Sequence, residues 1–276
     1  MNGILQVKEP KDLALCRDRL CRVLQEMRSV GVAYSGGVDS ALVMWMAHDL
    51  LKEAAIAMTS ISPTFPVSQL EEAKALAARR GIRHLFVESD ELTIPGYVEN
   101  GPGRCYLCKH DLYTKMGHLI RREGIAWIAD GTHLDDLGDV RPGLTAARQL
   151  GVRSPLVEAG MNKADVRALS RQLGLSTWDK PASACLSSRF PCGTRITHER
   201  LRQVEAAEAV LQQAGFRQFR VRYHDAIARI ELAQDEFHQV LDVQCRQTLM
   251  AQIQACGFTW VTLDLAGYGA GSPQSL

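Results

Sequence analysis

The sequence predicts an α/β protein built on a doubly wound parallel sheet, followed by a smaller α+β domain. Short β-rich runs alternate with helical patterns over roughly the first 175 residues, an order that is typical of a parallel sheet. Glycines close several of the predicted helices, at Gly81, Gly124 and Gly174. The alternation stops at 176–197, a segment with two prolines and many small residues, and the order of elements differs beyond it.

Each predicted element has a local reason in the sequence. Apolar and β-branched runs predict strands, and longer amphipathic or apolar stretches predict helices. In the first domain the predicted strands are 30–35, 54–61, 83–89 and 126–132, with 154–160 as a last strand or loop. The predicted helices there are 39–51, 67–80, 107–123, 144–150 and 163–173. The second domain is predicted to hold a helix at 199–213, strands at 216–224, 226–232 and 258–265, and helices within 235–255. We therefore predict domains at 1–178 and 179–276.

Composition excludes several classes of protein. The chain has 276 residues, 46% hydrophobic and 23% charged, as expected of a globular protein with one or two domains. Its 32 basic and 31 acidic residues give a net charge of +1, which provides no electrostatic case for binding nucleic acid. No apolar stretch approaches the ~20 residues of a membrane span, and the N-terminus lacks a signal-peptide core. We expect a cytoplasmic protein, in which the eight cysteines are metal ligands or nucleophiles rather than disulfides.

A run of small residues, SGGVDS from Ser35, follows the first predicted strand and precedes the first predicted helix. Ligands of an open parallel sheet bind beyond the carboxyl ends of its strands, where this run lies. Gly36 and Gly37 allow a backbone that exposes consecutive N–H groups, and the helix N-terminus adds partial positive charge. Ser35 and Ser40 supply hydroxyls, and Asp39 is suited to hold Mg²⁺ against phosphate oxygens. The alternative is a glycine-rich turn with Asp39 as a helix N-cap.

This run resembles the pyrophosphate loop, or PP-loop, of the N-type ATP pyrophosphatases, which include GMP, NAD and asparagine synthetases and tRNA thiolases. It matches neither a Walker loop nor a dinucleotide fingerprint. The resemblance implies that ATP is cleaved between its α- and β-phosphates and that a substrate oxygen is adenylated. A nitrogen or sulfur nucleophile then displaces AMP.

Two cysteine-bearing segments favour sulfur as that nucleophile. Cys105 and Cys108 form a C-x-x-C pair in GRCYLCKHDLY, in the predicted loop that enters the next helix, and Cys185 and Cys192 lie in SACLSSRFPCGT. The pair alone is compatible with redox, zinc or iron–sulfur roles, or with two incidental buried thiols. Arg189 is suited to hold Cys185 as a thiolate. The other cysteines fall in helical patterns and are expected to serve packing: Cys16, Cys21, Cys245 and Cys256.

Five stretches, in order along the chain, resemble the LarE family: SGGVDS, RCYLCK, DGTHLDD, KPASACLSSRFPCGTRIT and FRVR…ARIE. The match runs from about residue 25 to residue 272. Members are ATP-dependent sulfur transferases that mature the nickel-pincer nucleotide of lactate racemase. The resemblance implies a Rossmann-like PP-loop fold and sulfur insertion into pyridinium-3,5-biscarboxylic acid mononucleotide. One carboxylate is adenylated and becomes a thiocarboxylate, and this happens twice per finished cofactor.

The resemblance implies two possible sources of the sulfur. In the sacrificial route, the family cysteine that matches Cys185 attacks the acyl-adenylate, and its Cβ–S bond then breaks to leave dehydroalanine. In the other route, three thiolates hold a 4Fe–4S cluster whose free iron binds a transferable sulfide. We predict Cys105, Cys108 and Cys185 as the cluster ligands, with Cys192 as the rival third ligand. The cluster is the favoured reading, and the sacrificial route stays open.

Further polar residues of the nucleotide site follow from the same resemblance. Ser188 and Arg189 match a Ser-Arg pair suited to phosphate or adenylate contact. Lys109 follows the C-x-x-C pair and is predicted to neutralise the same anion, the alternative being a solvated helix lysine. In DGTHLDD, Asp136 and its neighbour Asp135 are predicted to hold Mg²⁺ or the nucleotide, the alternative being an acid cluster at a helix N-terminus. His133 in that motif stands where the family usually has Asn, which leaves its role open.

The predicted substrate site lies in the second domain. Arg220 and Arg222 alternate along FRVRYH and therefore share one strand face, as a fork of donors for a mononucleotide phosphate requires. A solvated edge strand is the alternative. Glu208 matches a family acid near the substrate and metal, although a surface i,i+4 pair would also explain it. Gly269 stands where the family commonly has Arg, so any anion contact from that Arg is absent here.

Three rival functions share parts of this pattern. A tRNA thiolase has the same loop and paired cysteines, but it needs a basic face that a net charge of +1 does not support. An amide-forming synthetase leaves the cysteines unexplained. A non-enzymatic nucleotide-sensing metal module leaves Arg220 and Arg222 without a role. As partners we expect the mononucleotide, a sulfur donor or client protein and further copies of the chain, but neither nucleic acid nor a membrane.

Overall fold

The computed structural model describes residues 12–138, 142–181 and 184–269, which form two compact units. Unit 1 contains residues 12–59, 71–87, 113–138 and 142–180. Unit 2 contains residues 60–70, 88–112, 181 and 184–269. Each unit is therefore discontinuous in sequence. The predicted division at 178/179, which assigns one continuous stretch to each domain, stays a prediction.

Helices and strands alternate through the first part of the chain and then change order, as predicted. The strands are β1 (Val30–Ala33), β2 (Ala55–Ile61), β3 (His84–Glu88), β4 (Trp127–Ala129), β5 (Phe219–His224), β6 (Ile227–Leu232) and β7 (Trp260–Leu263). The α-helices are α1 (Leu13–Met27), α2 (Val38–Leu51), α3 (Val67–Arg79), α4 (Arg104–Arg122), α5 (Pro142–Gln149), α6 (Pro155–Glu158), α7 (Lys163–Gln172), α8 (His198–Gln213), α9 (Phe237–Leu241) and α10 (Val243–Ala255). Among the described residues, no helix is both long and apolar enough to cross a lipid bilayer.

The sheet of unit 1 confirms the predicted fold class. Its strand order, over the described residues, is β3-β2-β1-β4, and β1 runs parallel to both of its neighbours. The chain moves outward from β1 to β3 and then returns to the far side of β1. Because such crossovers are right-handed, this reversal places their helices on both faces of the sheet. The point of reversal lies between β1 and β4, where an open sheet of this kind binds its ligands.

Apolar residues of β1 and α2 explain why these two elements lie in the core of unit 1. Val30 and Val32 of β1 are fully buried and pair in register with Ala55 and Ala57 of β2. Helix α2 is apolar on nearly every side, which is typical of a helix enclosed by protein. Its N-terminus, directly after the glycines of SGGVDS, is thereby fixed by packing.

Unit 2 contains a small mixed sheet in the order β5-β6-β7. Strands β5 and β6 form an antiparallel hairpin, and β6 and β7 are parallel. Buried residues of α8, α10 and the sheet form one apolar core, which also includes Tyr97 and Leu186. The segment that carries Cys185 is therefore anchored through its neighbour Leu186.

Three local predictions need correction. Helix α1 was not among the predicted elements, although Cys16 and Cys21 were expected to lie in a helical pattern. Asp12 caps this helix by accepting hydrogen bonds from the N–H groups of Ala14 and Leu15. The stretch 154–160, predicted as a strand or loop, contains the short helix α6, because Pro155 occupies the first helical position. Helix α4 begins three residues before the predicted start. The C-x-x-C pair therefore lies in the helix and not in the loop before it.

Candidate active site

The SGGVDS loop in unit 1 joins the end of β1 to the start of α2 and is closed by its own hydroxyls. The Ser40 Oγ accepts a hydrogen bond from the Ser35 N–H at 3.2 Å and donates to the carbonyl oxygen of Gly37 at 3.3 Å. Gly36 has a φ of +70°, a conformation that L residues with side chains rarely adopt. A Cβ at this position would also lie 3.0 Å from the Ala73 Cβ. The loop therefore depends on glycine both for its backbone and for its packing.

The DGTHLDD motif approaches this loop from the end of β4. A Cβ on Gly131 would lie 2.7 Å from the Ser40 nitrogen and 3.0 Å from the Asp39 Cβ, so only glycine fits there. Asp130 is buried, and its carboxylate accepts hydrogen bonds from the Thr132 N–H and the Ser154 hydroxyl. The two motifs that sequence analysis assigned to the nucleotide therefore meet at the switch point of the sheet.

Asp39 has a cationic partner that sequence analysis missed. The Lys163 ammonium group, at the start of α7, lies 2.7 and 2.5 Å from the two Asp39 carboxylate oxygens. The Lys163 N–H donates to the Asp135 carboxylate at 2.8 Å, and an Asn162–Asp165 capping box fixes the helix start. Asp39 is therefore not a simple N-cap of α2, because no side-chain cap bond is made there and its charge faces Lys163.

His133 lies among the three carboxylates of this site. Its Nε2 is 3.3 Å from the Asp136 Oδ2 and 4.0 Å from the Asp39 Oδ1, and its Nδ1 is 3.9 Å from the Asp135 Oδ2. The His133 side chain is 10% exposed, and its Nδ1 has no hydrogen-bond partner within the described part of the chain. Asp136 in turn accepts a bond from the His133 N–H at 3.1 Å. Asp135 and Asp136 lie in a 3₁₀ turn, Leu134–Gly138, beside the loop.

A second lysine, also missed, supports the loop from the KPAS segment. The Lys180 ammonium donates to the Gly36 carbonyl oxygen at 3.2 Å and to the Glu72 carboxylate at 2.5 Å. Lys180 begins KPASACLSSRFPCGTRIT, one of the stretches that resemble the family, so the sequence did contain a signal for it. Nothing local in the sequence, however, pairs it with Gly36, which lies 144 residues away.

In unit 2, Arg104 links the two cysteine-bearing segments. Its guanidinium donates to the Ser187 carbonyl oxygen at 2.5 Å and to the Cys105 Sγ at 3.6 Å. Burial alone would lower the pKa of Arg104, but the neighbouring Cys185 and Cys105 raise it above the ordinary value. Sequence analysis missed this residue, although it directly precedes Cys105 in RCYLCK.

The three predicted cluster ligands share one electrostatic neighbourhood. Burial raises the pKa of the Cys108 thiol to about 12, and Cys185 and Cys105 add to the increase while Lys109 opposes it. Burial also raises the pKa of Tyr97, with a further contribution from Cys185, and the Tyr97 hydroxyl contacts the Ser187 Oγ at 2.7 Å. In the described residues, however, no three His, Cys, Asp or Glu side chains lie close enough together to hold a metal ion. The thiols are thus neighbours without forming a ready-made ligand set.

Ser188 and Arg189 follow Cys185 in the 3₁₀ turn Leu186–Arg189. The Arg189 guanidinium donates to the carbonyl oxygens of Ala184 and Cys185 and to the Ser188 hydroxyl, at 3.0, 3.3 and 2.9 Å. Its remaining donors form a two-point ion pair with Glu208, at 2.8 and 3.0 Å. Arg189 therefore fixes the main chain around Cys185. A direct role in holding the thiolate stays a prediction.

Glu208 is not the surface charge that the simpler alternative required. Its side chain is only 12% exposed, and beside the Arg189 pair it accepts a hydrogen bond from the Val221 N–H at 3.0 Å. It thereby joins α8 to β5. The surface-pair alternative is wrong, and a role near the substrate stays a prediction.

Arg220 and Arg222 share one face of β5 but have different surroundings. Arg222 is 6% exposed, forms a two-point pair with the Glu231 carboxylate at 2.9 and 3.0 Å, and donates to the Ser188 carbonyl oxygen at 2.7 Å. The Arg220 guanidinium instead lies over the Tyr268 ring, 4.8 Å from its centroid. Strand β5 is an edge strand, yet the solvated-edge alternative is wrong for Arg222, because its donors are already bound within unit 2.

Many of the predicted site residues of unit 2 line one pocket of about 210 Å³. Arg222, Arg189 and Ser188 line it together with Cys105, and sequence analysis predicted all four for the site. Cys192, the rival cluster ligand, is exposed and lines the same pocket. The remaining charged or titratable lining residues were not predicted: Arg104, His224 and Arg229. The pocket therefore combines four arginines, of which Arg189 and Arg222 are already paired with Glu208 and Glu231, with two accessible thiols.

Comparison with known proteins gives three relatives over nearly the whole chain, while no protein-family model matches it. An uncharacterized protein of Synechocystis is 43% identical over 254 residues, which cover 92% of this chain and 95% of the relative. The pyridinium-3,5-bisthiocarboxylic acid mononucleotide synthase of Lactiplantibacillus plantarum is 39% identical over 260 residues, or 94% of each chain. An uncharacterized protein of Methanocaldococcus jannaschii is 25% identical over 241 residues, which cover 87% of this chain and 91% of the relative. The near-complete overlap with the named synthase, together with the PP-loop fold and the order of the motifs, shows that this chain belongs to the LarE family.

Proposed function

We propose that this chain is an ATP-dependent sulfur transferase acting on pyridinium-3,5-biscarboxylic acid mononucleotide. A substrate carboxylate oxygen attacks the α-phosphorus of ATP and pyrophosphate leaves, so that an acyl-adenylate forms. Sulfur then attacks the acyl carbon, AMP leaves, and a thiocarboxylate results. The observation that carries this proposal is the pocket of unit 2, in which Arg104, Arg189 and Arg222 accompany the thiol of Cys105.

The nucleotide half of the reaction is assigned to the SGGVDS loop. The N–H groups of Gly36 and Gly37 and the hydroxyls of Ser35 and Ser40 are proposed to bind pyrophosphate, with the N-terminal charge of α2 behind them. Oxygen ligands suit Mg²⁺, and Asp39 and Asp136 would hold the ion next to the phosphates. In that state Lys163 is proposed to leave Asp39 and neutralise a phosphate oxygen. Each of these groups lies in unit 1 beside the switch point.

The sulfur half is assigned to the cysteines of unit 2. Three thiols around Arg104 and Tyr97 provide the donor type that an iron–sulfur cluster needs, and Cys105, Cys108 and Cys185 would hold it. A 4Fe–4S cluster held by three thiolates has one free iron and would supply a transferable sulfide. Binding must displace the proton that burial keeps on Cys108, and Lys109 favours that loss. Cys192 stays the rival ligand because it lines the same pocket as Cys105.

The sacrificial route uses Cys185 alone. Its Sγ attacks the acyl carbon and displaces AMP. Loss of the Cys185 Cα proton to a base and cleavage of its Cβ–S bond then leave dehydroalanine on the chain and the thiocarboxylate on the product. In this route Arg189 fixes the main chain of the reacting cysteine through the carbonyl oxygens of Ala184 and Cys185. The C-x-x-C pair has no role in this chemistry, which is why we favour the cluster.

The mononucleotide phosphate is assigned to the face of β5 that carries Arg220 and Arg222. Arg220 is the stronger candidate for a direct contact, because the donors of Arg222 are bound to Glu231 and Ser188. Arg222 contributes charge to the pocket and fixes Ser188. Glu208 acts through Arg189, which it holds in place. The named relative makes a pyridinium mononucleotide, which favours this assignment over a tRNA thiolase or a nucleotide-sensing metal module. A cytoplasmic location, a sulfur donor or client protein and assembly into a homo-oligomer stay predictions.

Anaerobic purification with iron and sulfide supplied distinguishes the two sulfur routes. The cluster route predicts broad absorption near ~400 nm, lost together with iron and repeated turnover in the Cys105→Ser/Cys108→Ser double variant. The sacrificial route predicts that this variant still makes about one thiocarboxylate per chain and loses ~34 Da, the mass of H₂S. Colourless protein that binds zinc and releases no AMP would overturn the proposed function.

A further inference from the structure

We propose that unit 1 carries a second ligand site, which binds a small aromatic monocarboxylate in a pocket between α2, α3 and residues 174–177. The pocket, called the rear pocket below, has a volume of about 270 Å³. A substituted benzene ring fits such a volume. This site is independent of the proposed sulfur transfer, since none of the residues assigned to that reaction lines it.

Apolar and aromatic side chains form the walls of the rear pocket. Met44 and Leu175 are almost completely buried, and Ile82 is 9% exposed. Trp45 and Tyr34 add two aromatic rings to the lining. A flat apolar body is therefore the kind of ligand that these walls favour.

Two hydroxyl-bearing residues line the same cavity and are both 4% exposed. The Thr177 Oγ1 is fully buried and lacks a hydrogen-bond partner among the described residues. Burial raises the pKa of Tyr34 to about 12, so its hydroxyl remains a donor at neutral pH. A buried hydroxyl without a partner is rare in native proteins, because such groups are normally bonded to protein, water or ligand. A polar atom on the ring of the ligand would supply the partner of Thr177.

Positive charge marks the open side of the pocket. Arg79 and Arg80 line it and are both exposed. The Arg80 guanidinium lies 3.5 Å from the centroid of the Trp45 ring and is oriented further by Asp49, at 3.0 and 3.2 Å. Arg79 is held by one bond from its Nε to the Ala75 carbonyl oxygen, at 3.3 Å. A guanidinium beside an aromatic wall favours a carboxylate at the mouth, with the ring inside.

Calorimetric titration of the full chain with 4-hydroxybenzoate tests this site. We expect saturable binding with a Kd of about 1 mM or tighter. Arg79→Gln should weaken binding about 10-fold or more, and Thr177→Val about 2- to 12-fold, because these variants remove a charged and a neutral hydrogen bond. Arg83→Gln, a change of an exposed arginine that pairs with Glu123, is the matched control and should leave the Kd unchanged.

Two further titrations distinguish binding in the rear pocket from binding at the SGGVDS loop and from nonspecific binding. 4-Hydroxybenzamide, which lacks the charge, should bind at least several-fold more weakly. Saturating Mg-ATP should leave 4-hydroxybenzoate binding unchanged, because the loop is a different site. Absence of saturable binding to the wild-type chain, competition by Mg-ATP, or equal affinity in the Arg79→Gln and Thr177→Val variants with normal circular dichroism would each overturn the proposal.

Discussion

Lys163 and Asp39 are 124 residues apart in sequence, yet the lysine ammonium lies within 2.7 Å of both carboxylate oxygens. The pair neutralises the acid that sequence analysis assigned to Mg²⁺. It also keeps a positive charge at the N-terminus of α2, where phosphate oxygens are expected. In the proposed reaction Lys163 leaves Asp39 and contacts a phosphate oxygen of ATP. Loss of this lysine should therefore weaken ATP binding.

Lys163→Met should weaken the use of ATP by about 10-fold or more, because one charged contact to phosphate is lost. The measurement is the ATP dependence of AMP release at saturating mononucleotide and Mg²⁺. Lys74→Met is the control, since Lys74 forms an exposed pair with Glu71, contacts the Phe86 ring and has no assigned part in ATP binding, so that use of ATP should not change. An unchanged KM for ATP in the Lys163 variant would show that Lys163 does not contact the nucleotide.

Gly131→Ala should displace the SGGVDS loop, because the added Cβ would lie 2.7 Å from the Ser40 nitrogen. We expect a loss of about 1–3 kcal/mol in the free energy of unfolding together with a large fall in AMP release. Urea denaturation and product release measure the two effects. Gly138→Ala is the matched control, since a Cβ there meets no atom of the described residues within 4 Å. Normal AMP release by the Gly131 variant would contradict the assigned position of the loop.

Arg220→Ala should weaken use of the mononucleotide while leaving the free energy of unfolding nearly unchanged. Its guanidinium stacks on Tyr268, so we expect a change in unfolding free energy below about 1 kcal/mol. Use of the mononucleotide should fall by about 10–150-fold while use of ATP is retained. Arg222→Ala should instead lose about 3–5 kcal/mol of stability, because it leaves the buried Glu231 carboxylate without its principal partner. Equal kinetic losses for both ligands in the Arg220 variant would assign that residue to structure or to the ATP site.

Protonation of His84 should lower the stability of unit 1 in mild acid. Burial lowers its pKa from 6.5 to about 4, with a contribution from Lys74, and its Nε2 is 2.7 Å from the Thr59 Oγ1. Because the folded pKa lies below the unfolded pKa, the stability contributed by the neutral ring is complete above pH 6.5. It is lost as the pH falls from 6.5 to 4. His84→Gln should flatten this dependence in urea denaturation series, and an identical slope in variant and wild type would contradict it.

The sequence was sufficient to place the SGGVDS loop in the fold because the signals for its position are local. Small residues between an apolar strand and an apolar helix define SGGVDS, and the alternation of elements places it at the carboxyl edge of the sheet. The DGTHLDD motif was assigned to the same edge for the same reason. What the local pattern did not contain was the close approach of Gly131 to Ser40, which only the folded chain reveals.

Long-range pairs account for most of what the sequence did not predict. Arg104 meets Ser187 across 83 positions, and Lys180 meets Gly36 across 144. Arg222 was predicted as a free phosphate donor, but its partner Glu231 lies on the neighbouring strand, and only the hairpin register brings the two side chains together. The start of α4 was missed because Pro102 and Gly103 favour a loop, although the helix begins directly after them.

The most direct test of sulfur transfer is a single incubation of purified protein with Mg-ATP and pyridinium-3,5-biscarboxylic acid mononucleotide, followed by mass spectrometry of the small molecules. We expect AMP, pyrophosphate and a mononucleotide in which one oxygen has been exchanged for sulfur. In Cys185→Ala, the sulfur-containing product should be absent while the ability to bind ATP remains. If wild-type protein, supplied anaerobically with iron and sulfide, releases AMP without exchanging any oxygen for sulfur, the proposed sulfur transfer is wrong.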